Sequence, residues 1–304
     1  MDVYFYEAFE EEVAALRRHL PAYVTAGFTG KTIQEAGDVE PPATLISIRT
    51  QSAVPRAWAG KLTGVVSRTT GYDTVTNLPV ACGYLPLYCN RAVAEQAMLL
   101  WMALLRKLPQ QMEQFARFHR DGLTGAECAG KKLLVVGVGN IGSEVVKIGT
   151  GLGMEVRRVD IIPERADTSI GDGLPWADII VCSMNLTGKN RGFFDIQQLR
   201  QARRGVIFVN VARGELSPTD DLVRLLDDGH LGGVALDVYE KEQQMAVALR
   251  AGQGGFVLAG RLNVILTPHN AFNTHEAVER KSVQTVQQVE QFLRDGTFVW
   301  PVPQ

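Results

Sequence analysis

Residues 133–160, LLVVGVGNIGSEVVKIGTGLGMEVRRVD, constrain the chain more than any other stretch. Leu133, Leu134, Val135 and Val136 make an unbroken apolar run, which fits a parallel strand covered on both faces. Gly137, Gly139 and Gly142 follow in the spacing G-x-G-x-x-G. Gly137 permits a tight turn, Gly139 lets a pyrophosphate approach the backbone, and Gly142 lets the next helix pack close to the strand. Val145, Val146 and Ile148 give that helix, residues 143–151, an apolar face. Its N-terminus would turn N–H groups and the positive end of its dipole toward a phosphate. A second strand, 155–159, ends at Asp160, about 20 residues beyond the glycines, where a carboxylate can accept hydrogen bonds from an adenosine ribose. The glycine pattern alone also describes turns in unrelated domains. Strand, glycines, helix, second strand and terminal acid in that order describe a dinucleotide-binding unit.

A chain of 304 residues predicts two domains. With 46% hydrophobic and 21% charged residues it can bury a sizeable core. A formal charge of −2 excludes a broad electrostatic pull toward nucleic acid or membrane. Cys82, Cys89, Cys128 and Cys182 are scattered, with no pair spaced like a metal site. No metal is expected, and a reduced, cytoplasmic compartment fits. The first residues, MDVYFYEAFEEEV, are acidic and lack a signal-peptide pattern. The longest strongly apolar run, 97–105, is too short to span a bilayer.

In chain order, strands are predicted at 2–6, 44–48 and 64–67, with an amphipathic helix at 10–20. This alternation describes a small α/β domain. Two prolines and a glycine interrupt residues 73–86, which receive no assignment. An apolar helix is expected at 90–108, with Asn90 as N-cap and Pro109 just past its end, and a second helix at 110–120. After Asp160 an irregular connection holds Pro163 and Pro175. Strands at 178–182, 206–211, 233–236 and 264–266 then alternate with helices at 194–202 and 220–228. The expected architecture is a doubly wound parallel sheet of Rossmann type beside a smaller α/β domain. A long helix at 275–293 closes the chain and is expected to return to the first domain. Two crossings, near Asn90 and Phe272, would then form a hinge over a cleft. The domain limits follow as 1–90 with 273–304, and 91–272.

Ligands of open α/β sheets bind beyond the carboxyl ends of the strands. Three polar residues fall there. Arg213 follows the strand 206–211, Glu242 lies after 233–236, and His269 follows 264–266. A guanidinium can hold a carboxylate in bidentate fashion and polarise a carbonyl. An imidazolium can donate a proton, and a neighbouring carboxylate orients it and favours its charged form. Singly, Arg213 could be a surface cation, Glu242 part of a solvated charge run, and His269 a boundary residue satisfying backbone groups. At three successive strand ends, together, they form the set that reduces a 2-keto acid.

At this point the sequence resembles the NAD-dependent D-2-hydroxyacid dehydrogenases, over nearly its whole length. The resemblance is strongest at 134–142 and in Asn210-Val-Ala-Arg-Gly-Glu215, Ala235-Leu-Asp-Val-Tyr239 and Thr267-Pro-His269. Weaker matches are Ser67-Arg-Thr-Thr-Gly-Tyr-Asp73 and Ala92-Val-Ala-Glu95. It implies a flavodoxin-like substrate domain beside the Rossmann domain, NAD as cofactor, and a homodimer with the helix 90–108 as a candidate interface, although the apolar content of that helix equally describes ordinary core. It places the catalytic roles on Arg213, Glu242 and His269. It further implies that the backbone at Thr70 and Gly71 binds the substrate carboxylate, that Asn140 and Ile141 face the pyrophosphate, and that Asp237 holds the nicotinamide carboxamide. Tyr88 matches a residue of the substrate pocket in the D-lactate branch. The context of Glu242 and the run His269-Asn-Ala-Phe-Asn-Thr274 also resemble that branch.

The chain departs from the family pattern in four places. Gln96 stands where a histidine is usual, and Asn185 where a proline is usual. The segments 74–85 and 163–176 are short, and the second shortening removes most of a helix near the adenine. These bear on substrate identity and cofactor affinity more than on reaction type. Asp160 favours NAD, since a carboxylate repels a 2′-phosphate. Arg157, Arg158 and Arg165 lie close enough in sequence to bind that phosphate instead. Two other functions remain open to the same fold: an NAD-sensing regulatory protein, as in the related C-terminal-binding corepressors, and oxidation of a non-carbon acid such as phosphite.

Overall fold

The computed structural model describes residues 1–253 and 255–303. The chain divides into two compact units, Met1–Cys89 with Asn273–Gln304, and Asn90–Phe272. The smaller unit begins with β1 (Val3–Phe5), α1 (Glu10–His19), β2 (Ala26–Phe28), α2 (Ile33–Ala36), β3 (Leu45–Ile48), β4 (Gly64–Ser67) and β5 (Ala81–Gly83). Its five strands are parallel in the order β2-β1-β3-β4-β5. That 2-1-3-4-5 order is flavodoxin-like, as the resemblance implies. Strand side chains alternate between faces. Val3, Phe5, Leu45 and Val66 join one core with Leu16 of α1. Tyr6, Ile46, Ile48 and Val65 join the opposite core with Ile33 of α2 and Trp58. The sequence assigns neither β2, α2 nor β5. Each is only three or four residues long, too short for periodicity to register.

The larger unit opens with α3 (Asn90–Leu105) and α4 (Leu108–Gln114). The structure corrects the sequence here. Lys107 takes a left-handed conformation (φ 52) between the helices, and Pro109 stands in the first turn of α4. Proline is tolerated there because first-turn N–H groups have no helical acceptor. Asn90 is the first residue of α3, and its buried Oδ1 accepts no hydrogen bond, so its side chain is not an N-cap.

Next come β6 (Lys132–Val136), α5 (Asn140–Gly151), β7 (Glu155–Val159), α6 (Ile170–Trp176), β8 (Ile179–Cys182), α7 (Ile196–Leu199), β9 (Val206–Asn210), α8 (Thr219–Asp227), β10 (Leu231–Leu236), α9 (Glu242–Arg250) and β11 (Val264–Leu266). All six strands are parallel in the order β11-β10-β9-β8-β6-β7. The order reverses at β6, so the connections that leave β6 and β8 open a crevice of the kind that holds a ligand. Leu134, Ile180, Phe208 and Val234 build the core on one face. The connection expected to be irregular instead contains α6, capped by the Ser169 side chain and burying Leu174. Among the described residues nothing pairs beyond β7, whose residues are exposed or partly buried.

The chain finally returns to the smaller unit as α10 (His275–Asp295). Thr274 caps its start and Gly296, at φ 70, ends it. Val286, Val289 and Phe292 pack into the core that holds Leu16.

Candidate active site

The turn after β6 has the shape a dinucleotide needs. Gly137 has φ 90, and a Cβ there would sit 2.5 Å from the Met184 backbone. A Cβ on Gly142 would lie 2.0 Å from the Gly137 carbonyl oxygen, so α5 rests directly on the turn. Gly139 differs, because a Cβ there would meet nothing within 4 Å. Its missing side chain leaves open space over the helix start, where Asn140 and Ile141 form the first turn of α5. No side chain caps that turn. First-turn N–H groups have no helical partner and suit an anion.

Asp160 faces the same turn. Its Oδ2 accepts from Val138 N at 2.6 Å and its Oδ1 from Ile162 N at 2.9 Å. Two of the arginines that could oppose it are engaged elsewhere. The Arg157 guanidinium lies 4.4 Å from the centre of the Trp176 ring. Arg158 binds Asp167 through Nε at 2.8 Å and through its backbone N at 2.7 Å. Arg165 is exposed. The open glycine, the uncapped helix and the fixed carboxylate fit NAD.

Beyond the other strands, Arg213 follows β9 on a stapled turn. Asn210 accepts from Ala212 N and donates to the Arg213 carbonyl (2.8 Å) and to Ser217 Oγ (2.9 Å). Gly214 leaves no room for a side chain, since a Cβ would lie 1.8 Å from the Tyr239 backbone. The half-buried Arg213 side chain donates from Nη1 to the Ala212 carbonyl at 2.9 Å.

Glu242 and His269 meet directly. His269 Nδ1 lies 2.7 Å from Glu242 Oε1, with the two side chains 21% and 18% exposed. Glu240, the other acid of that run, is committed elsewhere, accepting from Thr219 N at 2.6 Å. The residues that present the pair are strained, with Lys241 at φ 50 and His269 at φ 50. Non-glycine residues rarely hold that conformation unless their surroundings enforce it. Here Asp237 enforces it at His269. Its Oδ1 accepts from Thr267 Oγ1 (2.6 Å) and Asn270 N (2.9 Å), and its Oδ2 from Ala271 N (2.9 Å). Burial pushes the Asp237 carboxyl up, and these donors pull it back. Tyr239 closes the clamp by donating to the Thr267 carbonyl at 2.7 Å. The resemblance assigns Asp237 to the cofactor. The clamp on the His269 loop, shared with Tyr239, escapes the sequence reading, although both follow directly on β10. With Nδ1 on Glu242, Nε2 is the ring nitrogen left to exchange a proton.

Three comparisons with known proteins bear on this geometry. The family model for the D-isomer specific 2-hydroxyacid dehydrogenase NAD binding domain matches residues 98–271. The chain belongs to this family. Its NAD-binding unit makes it an NAD-dependent dehydrogenase. The dehydrogenase is 29% identical to 2-hydroxyacid dehydrogenase A of Aspergillus oryzae over 93% of this chain and 89% of the relative. It is 30% identical to D-lactate dehydrogenase of Escherichia coli over 74% and 73%. A solved D-lactate dehydrogenase from Aquifex aeolicus, complexed with NAD and lactic acid, shares its fold at TM-score 0.84 and 24% identity, covering 98% of each chain.

In the smaller unit, Thr70 and Gly71 follow β4. Thr69 Oγ1 meets Ser67 Oγ at 2.6 Å and bonds the Gly71 carbonyl. Thr70 Oγ1 lies 3.3 Å from Cys89 Sγ. Tyr88 is buried, and Arg280 Nε donates to its carbonyl at 2.9 Å. Burial raises its phenol well above the ordinary range. Among the described residues, no group of three or more His, Cys, Asp or Glu could hold a metal ion, and no helix is long and apolar enough to cross a membrane.

Proposed function

We propose that the dehydrogenase interconverts a small 2-keto acid and the corresponding D-2-hydroxy acid, with Arg213, Glu242 and His269 as its catalytic residues. The observation that carries this reading is the 2.7 Å contact of His269 Nδ1 with Glu242, on a loop clamped by Asp237. Gly137, Gly139, Asn140, Ile141, Gly142 and Asp160 would hold NAD, and the bound cofactor supplies the hydride. Asp237 has two roles in this reading, toward the nicotinamide and toward the His269 loop. His269 Nε2 gives its proton to the carbonyl oxygen in reduction and takes it back in oxidation. Glu242 fixes the ring through its contact with Nδ1. Arg213 holds the planar carboxylate and polarises the carbonyl in bidentate fashion. Thr70, Gly71 and Tyr88 carry the substrate-side contacts.

The same reading makes the enzyme a cytoplasmic homodimer. All four cysteines are free thiols, which suits a reducing compartment. No residue of α4 is buried, and Met112 on it and Phe115 just after it expose 70% and 76% of their surface. Such a patch marks an interaction surface.

The test is NADH oxidation across pyruvate, glyoxylate, hydroxypyruvate, and longer or acidic 2-keto acids, with NAD reduction by phosphite as a further arm. Turnover of a keto acid that Arg213→Lys lowers at least about 100-fold, with NADH binding kept, is expected, because lysine lacks the planar fork. An enzyme that binds NADH yet turns over no keto acid rules this reading out.

A further inference from the structure

The smaller unit holds a cluster of charges that the mechanism above does not use. Glu12 on α1, Arg68 just after β4 and Lys281 on α10 are all 0% exposed. Arg68 Nε meets Glu12 Oε1 at 2.9 Å, and Lys281 Nζ meets the same oxygen at 2.7 Å. Arg68 also donates to Ser47 Oγ (2.9 Å) and to the Tyr6 carbonyl (2.6 Å). Burial pushes the Lys281 amine down, to about 7, while its cationic neighbours keep Glu12 ionised. Buried charge is costly and persists where partners or a function compensate it.

Arg49 stands at the edge of this cluster. It follows β3 directly, and the register pairs Ile48 with Ser67, so Arg49 is level with Arg68 and two residues short of Thr70. Its guanidinium lies 5.4 Å from the centre of the Phe9 ring, and Lys281 Nζ is 4.9 Å from the same ring. Arg49 is half-buried, so a ligand can reach it where it cannot reach Arg68 or Lys281. The loop that carries it is clamped. The Glu7 carboxylate accepts from Arg49 N (2.9 Å), Gln51 N (3.0 Å) and Ser52 N (3.1 Å), and Glu7 itself has φ 54. Around this point Arg68 and Lys281 share Glu12 in the interior, and Arg49 is the cation of the cluster that reaches the surface.

The cluster adjoins the substrate-side residues. Lys281 Nζ lies 5.9 Å from the centre of the Tyr88 ring, Cys89 follows Tyr88, and Cys89 Sγ touches Thr70 Oγ1. Loops after adjacent parallel strands, about 4.8 Å apart, can contact one small ligand. A carboxylate on the Thr70–Gly71 loop would leave the other end of its chain toward Arg49. An alkyl end there would desolvate a guanidinium without replacing its hydration, whereas an acidic end would form charge-assisted hydrogen bonds.

We propose that Arg49, with Lys281 behind it, recognises a second acidic group on the substrate, so that the preferred 2-keto acid is a dicarboxylate. This rests on the reading of Thr70 and Gly71 as the loop that binds the substrate carboxylate. The test compares kcat/KM for NADH-dependent reduction of keto acids matched in length. The pairs are oxaloacetate against 2-oxobutyrate, and 2-oxoglutarate against 2-oxovalerate. One charge-assisted contact corresponds to at least about a tenfold preference for the diacid. Arg49→Gln should cut that ratio about tenfold or more, chiefly through KM, and Arg49→Lys should restore part of it. Gln keeps the backbone N–H that Glu7 holds, and thermal melts identify a variant that fails to fold. A wild type that reduces the neutral acids as well as the diacids overturns the acidic-substrate proposal alone. So does a ratio that Arg49→Gln leaves unchanged. If no keto acid of either kind is reduced, the underlying function fails and this inference with it.

Discussion

At the residue scale, Glu242 and His269 form a hydrogen-bonded pair that, on the proposed reading, orients the ring for proton transfer. Glu242→Gln should lower kcat/KM for keto-acid reduction about tenfold or more, while NADH binding is kept. An unchanged kcat/KM would remove Glu242 from the site. A second prediction concerns Lys281. An unfolded lysine keeps its proton up to about pH 10.5, whereas burial lets this one go near 7. Between those values the unfolded chain binds more protons, so stability rises with pH through that window. Wild type should gain stability over Lys281→Met as pH rises from about 7 to about 9.5, read as the difference in urea midpoints. Parallel midpoints would mean that Lys281 stays charged when folded. The catalytic candidates were legible because Arg213, Glu242 and His269 each follow a strand end that the apolar runs mark. Asp237 and Tyr239 as a clamp were not, because their partners lie about 30 residues away, as in Thr267 with Asp237. Lys281 was not legible either, since one lysine in a helical pattern does not reveal that it is buried.

At the element scale, the glycines of the 137–142 turn separate folding from binding. Gly142→Ala drives a Cβ to 2.0 Å from the Gly137 oxygen, and backbone cannot yield as a side-chain tip can. The variant should lose about 3 kcal/mol or more of stability. Gly139→Ala meets nothing within 4 Å, so its melting point should stay near wild type while NADH affinity falls about tenfold or more. Thermal melts of both variants check the stabilities and an NADH fluorescence titration of Gly139→Ala the affinity, and intact affinity there would place the dinucleotide elsewhere. Long apolar or amphipathic elements such as β6, α3 and α10 could be read from pattern alone, because many residues repeat the signal. The α3–α4 break could not. Proline inside an apolar stretch marks either the end of one helix or the first turn of the next, and the left-handed Lys107 decides between them. The connection after Asp160 was misjudged for a related reason. Pro163 and Pro175 read as breakers, yet α6 forms between Ser169, which caps it, and Ala177, which follows it, and Leu174 anchors it in the core.

At the scale of the whole molecule, the surface of the larger unit predicts association. Leu99 on α3 exposes 53% of its surface, and Met112, Phe115 and Phe118 expose 70%, 76% and 74%. Isolated exposed apolar residues are ordinary, but Met112 on α4 and Phe115 and Phe118 just after it cluster within seven residues of chain, none of them buried. α4 buries no whole residue, so a partner surface would account for the apolar side chains on and just after it. A stable interface buries about 800 Å² per partner, more than these side chains provide, so the face of α3 that carries Leu99 would have to contribute as well. The wild-type chain should sediment near twice its 33.3 kDa at micromolar concentration. Met112→Glu with Phe115→Glu should give the monomer mass without lowering the melting point of the monomer itself, since neither side chain is buried. Association should also weaken gradually on dilution, which sedimentation at falling concentration would trace. A wild type that runs at monomer mass at tens of micromolar would sink the dimer reading, and a double variant that remains dimeric would move the interface away from α4.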